Sequence, residues 1–160
     1  MSNFKIIAIK TGKKTYPVPV EPKTGIKLDF FKVLKENTIY QLYQQYTFVK
    51  ENSFDEIIYK KELEIDLYNL KSSKLKININ AIVGENGSGK STLIELLYVA
   101  NYNIGCILGL FEEPEQYKLY AFLDLEIFYS TEENVFFKLQ FQGLANEMLA
   151  KQRPYPPKVL

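Results

Sequence analysis

Gly84-Glu85-Asn86-Gly87-Ser88-Gly89-Lys90-Ser91, followed by Thr92, constrains this chain more than any other stretch. It satisfies G-x-x-x-x-G-K-[ST], a glycine-rich loop pattern whose backbone N–H groups cradle phosphates, and it needs a strand before it and a helix after it. Both flanks have that character. Ile77 to Val83 ends in an apolar run suited to a buried strand, and Thr92 to Tyr102 reads as a helix. Its residues Leu93, Ile94, Leu96, Leu97, Val99 and Ala100 are apolar around most of the circumference, so it should be enclosed on several sides. Asn101, Asn103 and Gly105 are expected to stop it.

The residue types set the chemistry. Gly84, Gly87 and Gly89 can take positive φ angles and carry no Cβ to block an approaching anion. The first turn of the helix adds unpaired N–H groups and the positive end of its dipole. Lys90 is placed to reach the β- and γ-phosphates of a nucleotide, and the Ser91 hydroxyl is the expected Mg²⁺ ligand, because Mg²⁺ prefers hard oxygen ligands beside phosphates and water. The competing reading is a surface glycine turn capping an ordinary helix.

Length and composition bound the alternatives. One hundred and sixty residues suit one domain, and 46% apolar residues supply a sizeable core. A net charge of +1 does not announce a nucleic-acid partner. There is no His, which excludes imidazole bases, Ser-His-Asp triads and the usual zinc ligand sets. Cys106 stands alone, so no internal disulfide forms; it is expected as a small buried apolar residue after the helix. The segment MSNFKIIAIK has no signal-peptide core and nothing reaches the length of a membrane span, which together predict a cytoplasmic location.

Elsewhere the pattern is mostly strand. Phe4 to Lys10 predicts a short strand, with a turn at Thr11-Gly12-Lys13-Lys14. Three prolines between Tyr16 and Pro22 favour an edge segment. Thr38 to Val49 suits an antiparallel strand with one wet face, with an amphipathic helix over Phe30 to Gln45 as the alternative. Leu63, Ile65 and Leu67 alternate with Glu64, Asp66 and Tyr68 as a half-buried strand does. Leu119 to Phe128 and Val135 to Phe141 predict a hairpin joined through Ser130 to Asn134. The division expected is a β-rich extension over 1–60, a phosphate-loop lobe over 61–145 and an extended or disordered tail over 146–160, whose three prolines break any periodicity.

Asn86 ahead of Gly87-Ser88-Gly89-Lys90-Ser91-Thr92, preceded by Ile79-Asn80-Ala81-Ile82-Val83, resembles the ABC-type ATPases. Within them it looks most like the branch of SMC proteins, RecF-like proteins, and OLD-family and related bacterial AAA/ABC-like defence ATPases. That branch commonly shows I-N-x-I-x-G-x-N-G-S-G-K-S-T-L-[IL]-E, and Ile79 to Glu95 fits it throughout. The resemblance implies an α/β P-loop NTPase fold, here an N-terminal lobe with a mixed sheet, antiparallel strands and one phosphate-loop helix. It implies ATP and Mg²⁺ as cofactors, with Gly84, Glu85, Asn86, Gly87, Ser88, Gly89, Lys90, Ser91 and Thr92 at the nucleotide and Ser91 at the metal. It also implies completion by the remainder of the ATPase or by a second subunit, in a head-to-tail dimer, with DNA a partner by family analogy alone.

Two motifs of that family are missing from the 160 residues. A Walker B strand ends in Asp-Glu after four apolar residues; the nearest candidate, Ala121-Phe122-Leu123-Asp124-Leu125-Glu126, alternates like a hairpin strand instead. No LSGGQ-like signature is present. Hydrolysis is therefore expected only after completion in trans or by a catalytic second half. The alternatives are an ABC transporter ATP-binding subunit, which Tyr59 would favour by stacking on adenine, and a non-catalytic nucleotide-binding module. A small-molecule kinase fits less well, since it would place the loop near the N-terminus and carry an Arg-rich lid, whereas Arg153 is the only arginine.

Overall fold

Ile6, Ile7, Ala8 and Ile9 are four consecutive apolar residues on a strand, so both of its faces must be covered. The strand is β1 (Lys5–Thr11), and its register against β5 (Leu125–Glu132) slips between Ile6 and Ala8. That bulge leaves Ile7 unopposed and turns Ile7 and Ala8 to the same side. Ile9 faces the other side with Ile6 packed near it. The computed structural model describes residues 4–14, 20, 24–27, 29–63, 81–110, 124–132, 135–141, 153–154 and 158–159.

Around β1 and β5 runs a five-stranded antiparallel sheet in the order β2 (Ile39–Gln41), β1, β5, β6 (Val135–Phe141), β7 (Arg153–Pro154). One face carries Ile9, Leu125, Ile127 and Phe141 against α1 (Lys90–Ile107), whose Leu93, Leu96 and Ala100 are buried there with Phe31 and Leu34. The other face carries Ile7, Ala8, Phe128 and Phe136 against a three-stranded sheet ordered β3 (Tyr46–Phe48), β4 (Glu56–Tyr59), β8 (Lys158–Val159). β8 pairs with β4 in parallel, the one parallel pair among the described strands. Among the described residues the architecture is α/β, with an antiparallel five-stranded sheet, a mixed three-stranded sheet and a single α-helix, and strand outweighs helix. No described helix is long and apolar enough to cross a membrane.

The hairpin expected near the C-terminal end forms as β5–β6, with shifted bounds. Ser130, Thr131 and Glu132 belong to β5 rather than to the turn, because Ser130 pairs with Phe136 and Glu132 with Val135. Residues 119–123 lie outside the described set. The single strand expected over Thr38 to Val49 is instead two strands in different sheets, and no helix covers Phe30 to Gln45. The Leu42 N–H makes one more bond to β1, to the Ile7 carbonyl at 2.9 Å, and the Gln41 side-chain amide donates to the Tyr43 carbonyl at 2.6 Å as the chain turns away. Tyr40 and Leu42 then pack on the helix side and Tyr43 on the opposite side, so the chain crosses from one layer to the other.

The helix outruns its expected stop by five residues. Asn103 is fully buried within it, and no buried side-chain polar atom of the described residues lacks a hydrogen-bond partner, so tertiary packing overrides the local breaker. The end comes at Gly109, where φ is 64° and the Leu110 N–H reaches back to the Gly105 carbonyl at 2.9 Å, the longer bond of a Schellman cap. Cys106 consequently lies inside α1, not beyond it. Leu63 is another departure: it closes a short 3-10 turn, Lys61–Leu63, and is exposed, while residues 64–80 lie outside the described set. Residues 81–83 are described and form no strand, and Val83, expected at the end of a buried strand, is 86% exposed.

Phe128 joins the layers. It is fully buried and stacks on Phe136 at 5.5 Å and on Phe54 at 5.1 Å, linking the five-stranded sheet to the segment before β4. Phe128→Ala is expected to lower unfolding stability by about 3–5 kcal/mol, read from urea denaturation. A loss below about 1 kcal/mol would mean that this face is not a packed core.

Candidate functional site

Residues 84–92 enter α1 through a loop with two glycines in the left-handed region, Gly87 at φ 82° and Gly89 at φ 91°. Between them the Ser88 N–H closes a turn onto the Glu85 carbonyl at 3.2 Å. Gly84 is not in that region; there the missing Cβ matters, because one would stand 2.9 Å from the Ser88 Oγ. The Lys90 ammonium folds back across the loop and donates to the carbonyls of Gly84 and Glu85, both at 2.7 Å. Glu85, Asn86, Gly87, Ser88 and Ser91 are exposed, whereas Gly89 and Thr92 are buried against the protein. The arrangement puts outward-facing backbone, a helix N-terminus, a cation and a hydroxyl in one small region. Such a set can hold an anion, and a divalent ion beside it.

A second segment fixes the loop, and sequence reasoning missed it. An Asx turn opens it, with the Asp29 carboxylate accepting the N–H groups of Phe31 at 3.1 Å and Lys32 at 2.9 Å. The buried Thr11 hydroxyl closes it, donating to the Lys35 carbonyl at 2.6 Å and accepting the Thr38 N–H at 3.1 Å. Held this way, Leu34 is 3% exposed and lies so near Gly89 that a Cβ there would stand 2.5 Å from its Cδ2. Lys32 pairs with Glu95 on the second turn of α1. Leu34 and Gly89 are 55 positions apart, and no local pattern announces such a contact.

Beside the loop opens a cleft of about 420 Å³. Residues 39–44 form one wall and residues 81–83 another, with Ser88, Lys90 and Leu93 also lining it. Tyr40 is held rigidly here, its hydroxyl accepting the Lys35 N–H at 2.8 Å. Partial burial pushes the Tyr43 phenol above its ordinary value.

The other candidate residues are committed elsewhere. The Asp124 carboxylate accepts the Lys13 N–H at 3.0 Å, and Glu126 lies in β5 between Lys10 at 3.8 Å and Lys138 at 3.9 Å. Tyr59 packs against Tyr46 within the second cluster, the rings tilted with centroids 5.2 Å apart. Among the described residues no three acidic or sulfur side chains gather as a metal site.

A family model described as an AAA domain matches residues 52–146, more than half of the chain. Neither the curated proteins nor the solved structures return a match.

The geometry separates the two left-handed glycines. A Cβ at Gly87 would meet open space, whereas one at Gly89 would overlap Leu34. Gly87→Ala is expected to cost about 1 kcal/mol of stability and Gly89→Ala roughly 2–4 kcal/mol, and the Gly89→Ala/Leu34→Ala double variant should lose less than the sum of its two single losses. Denaturation of these four variants and the wild type checks this, and equal losses at the two glycines would rule out the close approach.

Proposed function

Because the chain belongs to the AAA-domain family of P-loop ATPase-like nucleotide-binding modules, we propose that residues 84–92 bind the phosphates of ATP with Mg²⁺. The observation that carries this reading is the Lys90 ammonium lying across a loop of two left-handed glycines at the N-terminus of an 18-residue helix. Two neutral carbonyls hold that ammonium, and charged phosphate oxygens would satisfy it better. Gly87 and Gly89 turn backbone N–H groups toward the anion, and the exposed Ser91 hydroxyl serves the metal. Bound Mg²⁺ would neutralise part of the phosphate charge.

The finer reading is the phosphate-binding lobe of an ABC/SMC-like ATPase. Positioning and electrostatic stabilisation are nearly the whole of phosphoryl-transfer catalysis, and a carboxylate must orient the attacking water. Asp124 and Glu126, the nearest candidates, are engaged with Lys13, Lys10 and Lys138. The water-orienting carboxylate and a contact from the far side of the γ-phosphate therefore come from further sequence or from a second subunit docked head to tail. A transporter subunit with Tyr59 stacked on adenine is less favoured, because that ring packs on Tyr46.

Lys90→Ala is expected to weaken ATP binding roughly 100-fold or more while shifting stability by less than about 0.5 kcal/mol, since the side chain contacts loop carbonyls and not core. Titration calorimetry with Mg·ATP reads the first and urea denaturation the second; equal ATP affinity in both proteins would reject the site. Ser91→Ala should remove most of the Mg²⁺ dependence of binding. The 160 residues alone are expected to show no measurable turnover, and Lys90-dependent hydrolysis by them would return Asp124 and Glu126 to the catalytic role.

A further inference from the structure

Two lysines stand at the entrance to α1. Lys90 belongs to the loop itself, and Lys32 arrives from the segment that presents Leu34 to Gly89. The backbone of Lys32 is fixed from several directions. Its φ is 46°, a left-handed conformation uncommon for a residue with a Cβ, so its surroundings must impose it. Asp29 accepts its N–H at 2.9 Å, and the Lys14 ammonium donates to its carbonyl at 2.7 Å. The next residue, Val33, lies so near the loop that a Cβ on Gly89 would stand 3.3 Å from its Cγ2. The Lys32 side chain is held far less firmly. Its ammonium pairs with Glu95, and both side chains are about half exposed, a setting in which an ion pair contributes little.

Glu95 lies one helical turn after Ser91, and both are exposed on one face of α1. Residues four apart on a helix are separated by about 6 Å along its axis, so the Lys32 ammonium rests a short swing from the hydroxyl assigned to Mg²⁺. We propose that Lys32 is a second cation of the nucleotide site, exchanging Glu95 for the terminal phosphate of a bound nucleoside triphosphate. The inference rests on the proposed phosphate-binding role of residues 84–92. Charge favours the exchange, because a phosphate group offers three strong acceptor oxygens and more negative charge than a carboxylate. Lys90 is aimed at the β- and γ-phosphates and Ser91 at their metal, so a cation on the Ser91 face adds its charge at the γ end. A diphosphate ends too early to gain from it. Because the Lys32 backbone is fixed in advance, only the flexible stem has to reorder. Lys32 precedes residue 52, where the family match begins, so this cation is supplied by the N-terminal region of the chain.

The test is a thermodynamic cycle read by titration calorimetry with Mg·ATP and Mg·ADP. Lys32→Gln should weaken Mg·ATP roughly tenfold, the scale of one charge-assisted contact, and Mg·ADP by less than about twofold. Glu95→Gln should tighten Mg·ATP in the wild-type background and leave it unchanged once Lys32→Gln is present, because Glu95 acts by competing for Lys32. Two independent changes of surface charge would instead add, and would act on both nucleotides. Additive effects of the two substitutions, or a Lys32→Gln loss shared equally by ATP and ADP or seen with neither, overturn the exchange and leave the phosphate loop standing. Lys90→Ala should weaken both nucleotides. If it leaves both affinities intact, the loop reading fails and the exchange fails with it.

Discussion

Burial of both faces of the β1–β5 ladder is the constraint on which the rest of this molecule depends. A strand pair covered on one side needs one partner layer; covered on both, it needs two. The helix takes one side and the β3–β4–β8 sheet takes the other. Alternation along the strand gives a run of four apolar residues two faces, and the bulge at Ile7 sends the adjacent Ile7 and Ala8 to the same core. Everything at the candidate site inherits its position from this arrangement, because Leu93, Leu96 and Ala100 fix α1 against Ile9, Leu125 and Ile127.

The loop is then positioned from outside itself. Residues 29–38 hang from the end of β1 through the Thr11 hydroxyl, and they bring Leu34 against Gly89 and Lys32 against Glu95. A glycine at position 89 thus serves two purposes at once, a left-handed backbone and room for a neighbour. The glycines of such a loop are usually explained by the anion they admit; here one of them is equally constrained by the protein behind it. The described part of residues 1–60 therefore belongs to the site physically, since its first strand lies inside the larger sheet between β2 and β5 and residues 29–38 brace the helix entry.

Acidic residues in a phosphate-loop protein invite a catalytic reading, and for Asp124 and Glu126 the tertiary structure supplies a structural account. Glu126 sits in β5 with lysines on both neighbouring strands, a cross-strand arrangement that neutralises a half-buried carboxylate. Asp124 closes the junction between β1 and β5: its carbonyl accepts the Gly12 N–H at 2.9 Å and its carboxylate accepts the Lys13 N–H. Each has a sheet-building task that explains its presence.

Local signals settled the local features of this protein. The loop pattern at 84–92, the helix after it, the first strand and the β5–β6 hairpin were all legible, because glycine spacing, apolar periodicity and turn residues act over a few positions. Boundaries were less so. The helix passes Asn103 and Gly105 because buried packing outweighs their modest local penalty, and the chain leaves β1 after Leu42 as Leu42 and Tyr43 pack into different cores. What only the tertiary structure decided is the surroundings of the loop: Leu34 behind Gly89, Tyr40 beside Lys90, and the lysines around Glu126. These contacts join segments separated by tens to more than a hundred residues, and their energy comes from layers closing on one another. Residue periodicity records which faces are apolar; it does not record which faces meet.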